Sequence, residues 1–141
     1  MTADEVNAIQ DSFAKVAPIS ELAAELFYGR LFEIAPEVKP LFKGDMKMQG
    51  RKLMTTLGVV VNGLDNLESI LPAASALAKR HVTYGVKPGD YRPVGEALLW
   101  TLERGLGEAW TPPLAAAWTS AYGVISEFMI GEAYGSGAAA K

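Results

Sequence analysis

Cysteine is absent from this 141-residue chain and histidine occurs once, at His81. Without thiols there are no disulfides, no iron–sulfur ligation and no thiolate–metal bond, a composition that suits a reducing compartment. Positive charge is in short supply too. Thirteen Lys and Arg face sixteen Asp and Glu, for a net charge of −3, and the cations look scattered rather than striped, so no nucleic-acid partner is expected. No apolar run reaches membrane-spanning length, and Asp4 and Glu5 stand where a signal peptide would carry positive charge, so the reading is a cytoplasmic protein with no membrane insertion. Alternating, β-branched strand patterns are missing as well, which leaves an all-α class. The length allows one domain with a single core.

What is present is helical spacing punctuated by proline, glycine and capping residues. A first helix is expected from near Thr2 to before Pro18, with Asp4 and Glu5 in the first turn, where the helix dipole favours acids. A second runs from about Ser20 to Ile34. Pro36 opens a short helical turn, and Pro40 and Gly44 bound an irregular segment that holds Phe42. The next helix aligns Gln49 with Leu53, Leu57, Val60 and Leu64, so one carboxamide shares an otherwise apolar face, while Arg51 and Lys52 lie off it. After a turn around Asp65 and Asn66, the stripe Leu67, Ile70, Leu71, Ala74, Leu77 and Ala78 ends at His81. Asp90 is expected to cap a helix with the buried face Tyr91, Val94, Leu98, Leu102 and Leu106. Thr111 and Pro112 start the last helix, with the stripe Leu114, Trp118, Tyr122, Ile125 and Met129. Residues 1–134 form the expected domain, and 135–141, small and glycine-containing, a flexible tail.

Two helices thus each place one polar group on an apolar stripe, Gln49 on one and His81 on the other. Such a pair can sandwich a planar cofactor. Each residue also has a plain reading: His81 as a hydrogen-bonded core histidine, Tyr28 as a core phenol bonded to a backbone carbonyl, Gln49 as a polar residue near a helix start. Phe42, Trp100, Trp110 and Trp118 are, singly, ordinary packing aromatics.

Several strings occur together: Leu26 to Phe32 (LFYGRLF), Pro40-Leu41-Phe42, Gln49 to Leu53 (QGRKL), Lys79-Arg80-His81, Lys87 to Tyr91 (KPGDY), Ala117-Trp118 and Ala121-Tyr122-Gly123. In these the chain resembles the globin family, specifically the bacterial single-domain globins and the haem domain of flavohaemoglobins, over nearly its whole length. The resemblance implies a three-over-three helical sandwich around haem b (iron protoporphyrin IX). It implies His81 as the iron ligand, Phe42 as the aromatic wedged against the haem, Tyr28 and Gln49 on the ligand side, and Leu53 over the iron. Val86, Val94 and Leu98 join the cofactor's apolar surroundings, and Lys52 is the candidate partner of a haem propionate. Lys79 and Arg80 are weaker candidates for that pairing, and their plain reading is solvated charge.

Oxygen, nitric oxide and carbon monoxide are the ligands the resemblance implies. Oxygen held at ferrous haem acquires superoxide-like charge, which the donors of Tyr28 and Gln49 would stabilise in a dry pocket. In flavohaemoglobin-like proteins a tyrosine and a glutamate support the proximal imidazole and favour reaction of oxygen over storage. Tyr91 fits the tyrosine. Ungapped counting from Tyr122 puts Ala133 at the glutamate's place and Glu132 one step earlier, about 100° around the helix. The expected activity is reversible oxygen binding with dioxygenation of nitric oxide to nitrate, dependent on an external reductase. A non-enzymatic oxygen storage, delivery or sensing protein is the alternative, as a monomer or weak dimer.

Overall fold

The computed structural model describes residues 2–140 apart from 43 and 84, with no side-chain description at 83 and 134–140. Six α-helices follow in order: α1 Ala3–Val16, α2 Ser20–Ile34, α3 Met46–Asn62, α4 Leu67–Thr83, α5 Tyr91–Leu106 and α6 Pro112–Ala140. Short 3-10 turns at Ala17–Ile19, Pro36–Leu41, Pro88–Asp90 and Gly107–Ala109 join them. No strand occurs among the described residues, and the architecture is all-α.

Local chemistry sets most helix ends. Thr2 and Glu5 form a capping box at the start of α1, each side chain accepting the other's backbone N–H. Asp45 accepts the Lys47 N–H at the start of α3, and Thr111 accepts that of Leu114 in α6. Asp90 departs from expectation. Its carboxylate accepts the Lys87 N–H and closes the Pro88–Asp90 turn, so α5 begins without a side-chain cap. The buried face of α5 also differs, comprising Tyr91, Gly95, Ala97, Leu98, Thr101 and Leu102, with Val94 and Leu106 only half-buried.

Helix α5 packs mainly on α2, α3 on α2 and α1, and α4 on α6. Two glycines permit close approaches. A Cβ on Gly50 would lie 2.8 Å from the Ala24 Cβ, so α3 meets α2 almost backbone to backbone, and a Cβ on Gly95 would lie 2.6 Å from the Tyr122 ring. Trp118 ties α6 to α1 by donating to the Ser12 hydroxyl, which donates in turn to the Ile9 carbonyl.

The buried apolar side chains fall into two groups. The larger joins α1, α2, α3, α5 and the first half of α6 around Ile9, Phe27, Leu31, Leu98 and Trp118. The smaller holds Ala74, Ala78, Tyr91 and Met129, with Leu77, Val86, Ile125, Phe128 and Ala133 packed against it. Helices α3 and α4, though consecutive, barely touch.

Candidate functional site

The seam between the two apolar groups is where the sequence-predicted residues converge. On one bank, α2 supplies Tyr28, the α2–α3 connection Phe42, α3 Gln49 and Leu53, and α5 Val94 and Leu98, all but Gln49 belonging to or packed on the larger group. On the other, α4 supplies His81, and Val86 and Tyr91 belong to or pack on the smaller group.

Tyr28 is held in an aromatic box. Phe27 and Phe42 meet its ring edge-on at 5.1 and 5.3 Å between centroids, and Phe32 stacks at 5.9 Å. Its hydroxyl donates to the main-chain oxygen of Gln49 over 3.3 Å, which places α2 and α3 in register at this point. Burial pushes the phenol's pKa up to about 12, so the O–H remains a donor throughout the physiological range. Beneath these residues a small void of about 10 Å³, lined by Phe13, Phe27, Leu53, Leu57, Leu98 and Leu102 among others, shows no polar wall. A space of that size and chemistry does not hold a hydrogen-bonded water.

Across the seam, His81 is half-buried and its Nδ1 lies 2.7 Å from the carbonyl oxygen of Leu77, one turn back. A carbonyl only accepts, so Nδ1 carries a proton, and in the neutral ring this leaves the lone pair on Nε2. That is the tautomer a metal-ligating imidazole needs. Tyr91 stacks obliquely beside it, with centroids 6.3 Å apart and planes 32° from parallel.

Tyr91 is itself positioned from α6. The Tyr122 hydroxyl donates to the main-chain oxygen of Tyr91, and its ring occupies the space left by Gly95. Burial, with the neighbouring Tyr91 adding to it, raises the Tyr122 pKa well above the usual phenol value. The sequence reading treats Tyr122 as a packing residue only. A glycine on the buried side of α5, four residues beyond Tyr91, is the signal that a ring comes close there. Glu132 is exposed, whereas Ala133 packs on the group that contains Tyr91. The structure therefore brings His81 and Tyr91 together and does not bring Glu132 to them. Lys52 is exposed at the edge of the α3 bank, and Lys79 and Arg80 are exposed just before His81.

One apolar group carries an imidazole whose Nδ1 is already bonded, and the other a buried phenol with a carboxamide on the adjoining helix, a donor set that would suit haem. Among the described residues no cluster of three or more His, Asp or Glu offers an alternative metal site, and no helix is long and apolar enough to cross a membrane.

Comparison with known proteins agrees with this geometry. A family model described as Globin matches residues 25–129. Flavohemoproteins of Rhodopirellula baltica and Vibrio cholerae are 31% and 28% identical over 89% and 92% of the chain. The chain spans only 32% and 34% of their lengths, about a third. Among solved structures, a bacterial globin from Campylobacter jejuni superposes with a TM-score of 0.81 at 27% identity, covering 94% of this chain and 96% of that one. An engineered carbene transferase from Rhodothermus marinus superposes with a TM-score of 0.85 at 23% identity, covering 99% and 98%, a likeness of fold.

Proposed function

The chain belongs to the globin family, and from that premise we propose that it holds haem b through His81 Nε2, binds oxygen reversibly, and dioxygenates nitric oxide to nitrate in the cytoplasm with electrons from a separate reductase. The fixed His81 tautomer between two unmerged apolar banks is the observation that carries this reading.

Haem held through His81 would supply an iron able to bind a diatomic ligand such as O2, NO or CO. The chain's own groups do the rest. Phe42 closes one edge of the seam, and Leu53, Val94 and Leu98 exclude water, which strengthens every hydrogen bond made inside. The Tyr28 O–H and the Gln49 carboxamide are the two donors on the ligand side. A hydrogen bond to a charged partner contributes about 1.5–3 kcal/mol, so removing either donor weakens oxygen retention by roughly tenfold or more. Val86, on the smaller apolar group, would add to the cofactor's apolar surroundings, and the Leu77 carbonyl, by accepting from Nδ1, raises the basicity of the imidazole. Lys52 would hold a propionate.

Oxygen storage, delivery or sensing is the second reading, and one observation favours it. Ala133, and not Glu132, packs on the apolar group that contains Tyr91, while Glu132 is exposed. Glu132 enters the enzymatic reading only through a local turn of α6. Absorption spectra of the oxidised, reduced and carbonyl forms test the cofactor, and His81→Ala is expected to abolish tight haem retention. Retention of haem by that variant overturns the ligand assignment. Sustained nitrate formation from nitric oxide, oxygen and a reductase separates enzyme from store, because a store gives one turnover and stops.

A further inference from the structure

The lysines and arginines that look scattered along the sequence are gathered by the fold. Residues 39–52 and 79–92 carry nine of the thirteen cationic side chains and two of the sixteen acidic ones, a balance of +7, while the other 113 residues carry −10. The first stretch is the connection into α3 with its opening turns, and the second is the end of α4 with the turn into α5. The two stretches touch, since the Leu41 side chain lies 3.2 Å from where a Gly85 Cβ would be, and together they make a cationic rim beside His81, which lies in the second. Lys47, Arg51, Lys52, Lys79 and Lys87 are exposed on it, and none of these five makes an ion pair among the described residues.

We propose that this rim is the docking surface for an acidic one-electron carrier protein of the flavodoxin or iron–sulfur class. The proposal rests on the reading of the seam as a haem site. Glu96 already pairs with Arg92, and two propionates would neutralise at most two more of the seven surplus charges. The remainder makes a positive mouth on an otherwise acidic molecule, which orients an acidic partner and repels it from every other approach. A carrier seated there gives up one electron, is oxidised by one, and reduces the iron by one with no atom transferred. The steep contrast between rim and body favours a protein of opposite charge over a small anion, because only a large partner senses both the attractive mouth and the repulsive remainder.

The test uses the haem-loaded protein and a reduced acidic flavodoxin as probe. Its dissociation constant is measured by calorimetry, and its one-electron transfer rate by stopped flow, between about 20 and 300 mM salt, a span over which screening shortens severalfold. Both affinity and rate are expected to fall about tenfold or more across it, and the triple variant Lys47→Glu, Arg51→Glu, Lys87→Glu to lose about tenfold at low salt while its spectrum and its reduction by neutral lumiflavin hydroquinone stay unchanged. Salt-independent affinity, or a triple variant indistinguishable from the parent, overturns the proposal. So does binding of the rim to vesicles of anionic phospholipid with no flavodoxin binding, which assigns it to a membrane surface. A preparation that retains no haem defeats the underlying reading as well, and its spectrum shows this before any mixing.

Discussion

Tyr28 is where packing and chemistry compete for one hydroxyl. Its bond to the Gln49 carbonyl is 3.3 Å long, beyond the usual range for an O–H donor, so little is lost when the proton turns to a better acceptor in the seam. Tyr28→Phe keeps the aromatic box and removes the donor. Oxygen dissociation is expected to accelerate by roughly tenfold or more, read by stopped-flow displacement with carbon monoxide; an unchanged off-rate leaves Tyr28 as packing alone. The same burial has an alkaline consequence. The folded pKa of about 12 lies above the free phenol's 10.0, so the unfolded chain releases its proton first as pH rises. The stabilisation is complete below pH 10 and drains away between 10 and 12. Ultraviolet titration of the folded protein should show tyrosine ionisation extending above the free phenol's range, and Tyr28→Phe should remove part of that late component.

Between helices the decisive residues are those with nothing on them. Gly50 lets α3 rest on Ala24 of α2, and through that contact it sets how far the Gln49 side of the seam stands from Tyr28. Gly50→Ala gains about 1 kcal/mol of helix propensity and loses about 1–3 kcal/mol to overpacking against Ala24. A net loss is expected on denaturant titration, together with a changed oxygen off-rate because α3 must lift. Ala24→Gly in the Gly50→Ala background should restore the off-rate, and the double-mutant cycle measures that coupling. Such contacts explain what sequence reading reaches and what it misses. Helix ends at Thr2, Ser20, Ile34 and Pro112 follow from residues within one turn, and they are legible. The places of His81 on α4 and Gln49 on α3 are legible too, because each breaks an apolar stripe on its own helix. The cap by Asp90 is misread since the Lys87 N–H, three residues back, competes for the same carboxylate and wins. On α5, burial of Gly95, Ala97 and Thr101 in place of Val94 and Leu106 depends on where α2 and Tyr122 cross, which periodicity does not encode. The cationic rim is invisible for the same reason, as its halves lie some forty residues apart and meet only through Leu41 and Gly85.

For the molecule as a whole, the division of its apolar interior predicts how stability is distributed. The larger group is held by five helices and the Trp118–Ser12–Ile9 relay, whereas α4 rests on α6 and hardly touches α3. Helix α4 is weakened further by Pro72, which withdraws one donor from its hydrogen-bond ladder. A haem bridging the two groups would stabilise both, and one that bound only the folded chain would add about 4 kcal/mol when present at 1,000 times its dissociation constant. Removing it should therefore lower the melting temperature and, more tellingly, loosen the protein unevenly. In amide hydrogen exchange the haem-free protein is expected to lose protection first across α4 and the following turn, residues 67–90, while α1, α2 and α5 retain protection close to the global unfolding limit. Uniform loss over all six helices would mean that the two groups fold as one unit without the cofactor, and that the seam is a consequence of haem binding rather than a feature the chain builds beforehand.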